Sequence, residues 1–510
     1  MAERTALVSR SYIALRTGRV HPLTVEASSV QSSGLGARDE RTTPFSLSAA
    51  VSVRLAIVVY AAVGSAAAVV DYVGFRSARF DLGNAAQAVW STAHGGLLQT
   101  TNVPGDQISR LGVHVEPLLV LFAPLWLIWS SPVMLLVLQA VVVSAGALPI
   151  FWLARKHLGS ERSAGCFALA YLLYPATQWK ALDPNTGFHA VCFALPLLLY
   201  SLWWLDEERW VRFLAVAVLA AASKEQVPLV LGCLGIWYGV SRRRPWIGAA
   251  IFAAGLAATA VDFLYVIPHF SSNGADPFAN RYAALGGTPK QVVETTAVHP
   301  LKTAEIVLTT HKLVYLVLLV VPLLGLCFRA PLLLLAAVPS LAINLLSSSP
   351  DQTSITSHYS AATTAVLFGA TILGAARTTT DPWRLSRGVL AAVAATAVIS
   401  PLWIALPVAR ETIANPPHLR AERYATGLIP DGVPVSASNA LGAHLSARKR
   451  ILLFPAIREA KWIAVDTTDT EGAPSFKAAL SRLRENRRFA TVYESNGVVV
   501  MRRTKAPGRS

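Results

Sequence analysis

Asp81 lies in the stretch Arg79-Phe80-Asp81-Leu82-Gly83-Asn84, with Gln87 and Trp90 following on a predicted surface helix. His114 and Glu116 open an apolar segment. Asp183 and His189 flank the turn Asp183-Pro184-Asn185-Thr186-Gly187-Phe188-His189. Lys224 and Glu225 interrupt an apolar run, and His358 with Tyr359 precedes another. Ionisable groups beside membrane spans are costly and are often kept for function. A carboxylate at a membrane–water boundary can deprotonate an acceptor hydroxyl. A neighbouring Lys or Arg can hold a phosphate or pyrophosphate leaving group. Aromatic rings such as Trp90 and Tyr359 can stack on sugars. Together these are the parts that glycosyl transfer from a polyprenyl-phosphate sugar needs.

Each residue also has a plainer reading. Asp81 could cap the helix that starts at Leu82. Asp183 before Pro184 is a common turn opener. His114 and His358 could be interfacial histidines without a role. Lys224 and Glu225 could neutralise each other, although a half-buried pair costs desolvation. The His, Asp and Glu set could bind a divalent metal, but no HExxH-type spacing supports one, so no metal ligand is assigned and no cofactor is certain. There is no GxxxxGK[ST] run and no dinucleotide glycine pattern after a strand, so neither ATP nor a soluble nucleotide sugar is suggested.

These residues must be positioned by apolar helices. The chain has 510 residues, is 53% hydrophobic and only 15% charged, where soluble domains carry about 25% charge. Apolar runs near spanning length recur at 53–71, 132–154, 163–177, 189–205, 210–222, 227–240, 246–267, 313–328, 330–346, 361–376 and 388–408. Segment 115–129 is apolar but carries Glu116, Pro117 and Pro124, and reads as re-entrant or interfacial. The expected fold class is mainly α: a polytopic helical membrane protein of about eleven spans with a small C-terminal extracytoplasmic α/β domain. The net charge of +16 fits basic inner loops and anionic lipid rather than nucleic acid, for which no motif is present. Cys166, Cys192, Cys233 and Cys327 all sit in apolar runs and read as small hydrophobes.

Short connections rich in Arg (Arg155 to Arg162, Arg209 to Arg212, Arg242 to Arg244, Arg329, Arg377 to Arg387) alternate with longer ones poor in it. That asymmetry places the N-terminus in the cytoplasm and the C-terminus outside, in a multi-pass plasma-membrane protein. Residues 1–50 then form a disordered cytoplasmic tail. Residues 51–408 form the membrane domain, with outer loops at 72–131 and 268–312. Residues 409–510 form the outer domain, with strands expected at Val433–Ser438, Ile451–Phe454, Trp462–Val465, Thr491–Tyr493 and Val498–Met501 and an amphipathic helix over 475–488. On this topology the chemically suggestive residues converge on the outer face.

The chain also resembles a known family. Phe80-Asp81-Leu82-Gly83-Asn84 with Gln87 and Trp90, His114 with Pro117 and Pro124, Tyr171-Leu172-Leu173-Tyr174-Pro175, Phe188-His189, Lys224-Glu225, His358-Tyr359 and Val435-Ser436-Ala437-Ser438-Asn439 are similar to the prokaryotic predicted membrane proteins grouped as domain of unknown function 2079. The likeness covers roughly 55–505 and departs from the pattern at Gln226, where an acidic residue is expected. That family in turn resembles membrane glycosyltransferases of the C-type (GT-C) fold, including the protein mannosyltransferase and aminoarabinose transferase group. The resemblance implies a glycosyltransferase using a polyprenyl-phosphate-linked sugar at the outer face. In it Asp81 would be the catalytic base and Lys224 a phosphate ligand. His189 and His358 would line the cavity, and Glu225, His114, Glu116, Asp183, Tyr359, Gln87 and Trp90 would contact substrate. A non-catalytic scaffold or sensor binding envelope polymer, and a transporter of a lipid-linked sugar, are the alternatives.

Overall fold

The structure, a computed structural model, describes residues 48–271, 278–468 and 473–504. The tail expected over 1–50 lies outside the described residues as far as position 47. The apolar runs form helices, and many are opened by residues suited to a first turn. Ser48, Ser131 and Ser160 cap Ala49–Val73, Pro132–Ala145 and Glu161–Leu173 by accepting backbone N–H bonds, which satisfies donors that have no partner within the helix. Proline begins Pro132–Ala145, Pro175–Leu182, Pro245–Val261 and Pro382–Ala395, where its missing N–H costs nothing.

Among the described residues three helices, Ala49–Val73, Pro132–Leu158 and Pro245–Phe270, are long and apolar enough to cross a membrane. Two bent pairs, Pro300–Val307 with Thr310–Leu323 and Pro382–Ile399 with Leu402–Ala414, raise the number to five if each counts as one span. Pro117–Ile128, Ala190–Asp206, Trp210–Ala221, Val227–Ser241 and Pro331–Leu346 are apolar but shorter. The expected span over 163–177 is divided at Tyr174-Pro175 into Glu161–Leu173 and Pro175–Leu182. The span over 388–408 is bent at Ser400-Pro401. In both places a proline ring disfavours helical geometry in the residue before it.

Helix Ala361–Ala375 is buried along its whole length and sits at the centre of the bundle. By contrast, Val211, Leu214, Val218, Trp246, Leu256 and Val261 are exposed. An apolar surface of that extent is suited to lipid. Val227–Ser241 and Pro245–Val261 meet along a glycine seam. A Cβ on Gly255 would stand 2.3 Å from the Pro228 carbonyl oxygen, and one on Gly248 2.6 Å from that of Gly235. The two backbones touch because no side chain separates them, as is common between helices in lipid.

Alternate connections gather at one end of the bundle. There Lys156 bridges Asp206 and Glu207, Arg242 meets Asp206, and Arg244 meets Glu208. The connections carrying Asp81, Glu116, Asp183, Lys224 and His358 meet one another elsewhere, in the site described below.

In the loop after the first helix, a π-helical turn, Arg79–Gly83, runs into Asn84–Ala93. An antiparallel hairpin follows, β1 (Gln99–Thr101) and β2 (Gln107–Ser109). The C-terminal region holds a five-stranded sheet of β3 (Val435–Ala437), β4 (Ile451–Leu453), β5 (Trp462–Asp466), β6 (Phe489–Ser495) and β7 (Val498–Arg503). Its order is β4-β3-β5-β7-β6, with parallel pairs around β3 and antiparallel pairs at β7. Helix Ala473–Glu485 presses Phe476, Leu480 and Leu483 onto one sheet face beside Ile463, Val465 and Met501.

Gly255→Val should force the seam apart and lower stability by about 1–3 kcal/mol, as overpacking does. Thermal unfolding of the detergent-solubilised chain checks this; an unchanged midpoint would mean that the helices do not pack through their glycines.

Candidate functional site

Asp81 sits within the π-helical turn, a local widening of the helix that often marks functional positions. It does not cap the following helix: Gly83 holds the N-cap position of Asn84–Ala93, with no side-chain cap. The Asp81 carboxylate instead meets His189, with Oδ1 3.2 Å from Nε2. The other ring nitrogen of His189, Nδ1, is 2.5 Å from Asp183 Oδ2. One imidazole thus bridges two carboxylates that lie far apart in sequence.

The turn before His189 makes this bridge. Asp183 and Asn185 adopt left-handed conformations, with φ of 42° and 70°, and Gly187 has φ 96°. Glycine takes that conformation without strain and Asn and Asp tolerate it. Thr186 donates its hydroxyl to Asp183 Oδ1 at 2.6 Å. The Thr186 carbonyl accepts from Leu82 N–H at 3.2 Å, which fastens the turn to the Asp81 segment. Buried Gln139 receives the His189 N–H and donates to the Gly187 carbonyl.

His358 stacks on His189 with ring centroids 3.5 Å apart, and Tyr359 packs beside it at 4.1 Å. Arg281 donates to the Tyr359 hydroxyl at 2.9 Å and lies over the Phe278 ring at 4.3 Å. Phe278 in turn stacks on His114 at 4.8 Å. His114 therefore connects this first group to a second, deeper one.

In the second group Glu116 accepts from Arg110 Nε at 2.9 Å and from Lys224 Nζ at 3.3 Å. Glu225 accepts from the Val115 backbone N–H at 3.1 Å and lies 3.3 Å from His114 Nδ1 and 3.8 Å from Lys224. The Leu118 N–H donates to the Ala222 carbonyl, drawing the Pro117 segment against the polar break at 223–226. Glu116, Lys224 and Glu225 are all buried. Asp81 is the most open carboxylate of the two groups, its side chain 23% exposed against 6% for Asp183 and 2% for Glu116.

The electrostatics follow from burial and pairing. Burial works against charge on His189, but Asp183 and then Asp81 outweigh it and raise its pKa to about 9. His358 is pushed well below the ordinary histidine value by burial and by the nearby charges of His189 and Lys224. His114 is lowered to about 4, by burial first and Lys224 second. Burial would raise Glu116, yet Arg110 and Lys224 hold its carboxyl well below the usual range. At neutral pH the site therefore contains one imidazolium, His189, set between carboxylates and stacked on a neutral imidazole.

Gln87 and Trp90 do not join these groups. Gln87 is fully buried and donates to Thr101, Arg448 and Lys449, while its own oxygen accepts from Thr101 N–H. Trp90 stacks on His94. Both lie on the helix behind Asp81, where Gln87 joins the segment after the first helix to the C-terminal sheet region. Arg110 and Arg281 take part in the site although no sequence motif marks them; each becomes visible only once its partner, Glu116 or Tyr359, is brought near. Asp183, His189 and His358 offer ligand atoms within 4.8 Å of one another, enough for a metal ion. Both nitrogens of His189 are already engaged, so a cation there would have to replace a proton.

The model of a predicted membrane protein family, DUF2079, matches residues 72–500. The chain belongs to this family. Among solved structures, ArnT from Cupriavidus metallidurans in the apo state is similar with a TM-score of 0.51 and 13% sequence identity, covering 89% of this chain and 98% of that one. The structure of ArnT bound to undecaprenyl phosphate gives 0.49 and 12%, covering 87% and 97%. No curated protein matches in sequence. At these identities the likeness shows the fold: this DUF2079 member is a mainly helical membrane protein with an ArnT-like architecture and a small C-terminal sheet domain.

The raised pKa of His189 ties stability to pH. A free histidine titrates near 6.5. The stabilisation from its charged form is full below that value and is lost as pH rises through about 9, with a ceiling of about 3 kcal/mol. The difference in thermal midpoint between the wild type and His189→Gln should narrow between about pH 6.5 and pH 9.5. A difference that stays constant over this window would show that His189 is not held charged.

Proposed function

We propose that this protein is a membrane glycosyltransferase that moves a sugar from a polyprenyl-phosphate donor to an acceptor at the outer face of the plasma membrane. The carrying observation is the state of Asp81, a part-exposed carboxylate held in place by a buried, charged histidine. ArnT, whose apo structure shares this fold, has been solved bound to undecaprenyl phosphate. The same class of lipid is the donor proposed here.

In this reading Asp81 accepts the proton of the acceptor hydroxyl. The acceptor oxygen forms a bond to the anomeric carbon while the bond from that carbon to the phosphate oxygen breaks. The electron pair leaves with the polyprenyl phosphate, and attack from the opposite side inverts the anomeric centre. The His189 ring fixes the direction of the Asp81 carboxylate, and Asp183 fixes the imidazole in turn. The departing phosphate gains a full charge and needs cations. Arg281, beside Tyr359, and Lys224 are the candidates. Lys224 shares its charge with Glu116 and Glu225, so Arg281 is the first choice. Should a divalent cation enter at Asp183, His189 and His358, it would add positive charge near the same phosphate. His114, Glu116 and Glu225 support the floor of the site, and Gln87 and Trp90 support Asp81 from behind.

The proposal includes about eleven crossings, the shorter apolar helices being tilted, paired or partial spans. It also puts the N-terminus inside and the C-terminal domain outside, because the Arg-rich connections gather at one end of the bundle. A C-terminal alkaline phosphatase fusion should be active in cells; an inactive phosphatase with an active cytoplasmic reporter would invert the topology.

Asp81→Asn should lower transfer by about a hundredfold or more, the scale of a lost general base. The measurement is release of undecaprenyl phosphate from a panel of undecaprenyl-phosphate sugars by the nanodisc-reconstituted chain. Unchanged release by a variant that folds normally would remove Asp81 from catalysis.

A further inference from the structure

A second cluster lies away from the site described above, within the C-terminal domain. Helix Pro417–Gly427 carries His418 and Glu422 one turn apart, so both point to the same side of the helix. Asp466, the last residue of β5, meets them. His418 Nε2 is 3.3 Å from Asp466 Oδ2 and 3.9 Å from Glu422 Oε1. The three ligand atoms lie within 4.8 Å of one another. Glu422 and Asp466 are 4% and 5% exposed, buried for carboxylates, while the side chain of His418 is 36% exposed.

We infer that His418, Glu422 and Asp466 form a binding site for one divalent transition-metal ion of the zinc class. Three observations carry this. The first is separation. Metal–ligand distances near 2.0–2.2 Å put neighbouring ligands about 3.0–3.5 Å apart in octahedral or tetrahedral geometry; the two His418 pairs, at 3.3 and 3.9 Å, are within a few tenths of an ångström of that, and the two carboxylates are within 4.8 Å of each other. The second is the direction of the imidazole. His418 Nδ1 is 2.6 Å from the Asn496 carbonyl oxygen, and a carbonyl can only accept, so the ring proton sits on Nδ1. Nε2 is then the ring nitrogen that faces the two carboxylate oxygens, where a cation can take the place of a proton. Metal-binding histidines are oriented by this kind of outer hydrogen bond. The third is the support of Asp466. Thr468 donates its backbone N–H to Oδ1 at 2.9 Å and lies 2.8 and 2.9 Å from the two oxygens through its hydroxyl. The carboxylate is held in place from outside the cluster.

One nitrogen and two carboxylate oxygens suit zinc or manganese better than calcium, which takes six to eight oxygens. The open side of His418 leaves an entry path and a place for water. The ion would join the start of the helix, the end of β5 and, through Asn496, the turn between β6 and β7. This site is independent of the glycosyltransferase reading and would hold if that reading failed.

The test uses the full chain in detergent. It is stripped with a chelator, dialysed against Zn2+ and then against buffer, and its metal content is measured. About one zinc per chain is expected, together with a rise of a few degrees in the thermal midpoint, because binding to the folded state alone stabilises it. Asp466→Asn should lose the ion, whereas His358→Ala, which disrupts the other His and Asp cluster, should keep it. Co2+ added to the stripped wild type should give visible d–d absorption that Zn2+ abolishes, a readout that needs no variant to fold. Three results would each overturn the inference: no retained zinc and no cobalt spectrum, zinc retained by a folded Asp466→Asn chain, or zinc lost only in His358→Ala. A wild type whose stability follows pH but ignores every added metal would show that His418 is a protonated ion-pair partner instead.

Discussion

The site depends on one imidazole shared between two carboxylates. His189 lies between Asp81 and Asp183, and each of the three would be expensive to bury alone. Together they satisfy one another, and in doing so they draw the segment at 79–84 onto the turn at 183–189. The backbone bond from Leu82 to Thr186 and the bonds to Gln139 make that approach permanent. The result is a carboxylate, Asp81, that is part-exposed on one side and held by His189 on the other.

A second set of buried polar bonds supports the first. Arg79 is fully buried, two residues from Asp81, and donates to the carbonyls of Thr101 and Ile451 at 2.5 and 2.6 Å. The Phe80 N–H donates to Asn439, and Gln87 donates to Arg448 and Lys449. The segment at 79–87 is thus held between the helical bundle and the C-terminal sheet. Gly83 and Gly442 allow this closeness: a Cβ on either would stand within 2.9 Å of Ser446 or Arg79 side-chain atoms. The C-terminal domain therefore acts as part of the scaffold for Asp81, and the zinc-class site inferred within it would stiffen the far side of the same sheet.

Much of the architecture could be read from the chain. The apolar runs, their serine caps and their opening prolines mark the helices, because a helix buried in lipid or among other helices must satisfy its backbone locally. The strands after 430 show through their apolar runs. The proline breaks at 175 and 401 also stand in the sequence, although a continuous apolar run obscured them. What was harder to read is how many of the shorter helices cross a membrane, since length and hydropathy define three to five full-length candidates.

The types of residue at the site, and their gathering between apolar segments, were determined by the sequence alone: Asp81, Asp183, His189, Lys224, Glu225 and His358 are costly in that setting and stand out for it. Their roles toward one another were decided only by the tertiary structure. Asp81 pairs with His189 across 108 positions, and Lys224 is occupied by Glu116. Gln87 turns to the C-terminal domain, and Arg110 and Arg281 enter without any motif. The physical reason is range. Helix formation and capping depend on neighbours within a few residues, whereas the pairing of buried charges depends on which distant segment the fold brings within hydrogen-bond distance.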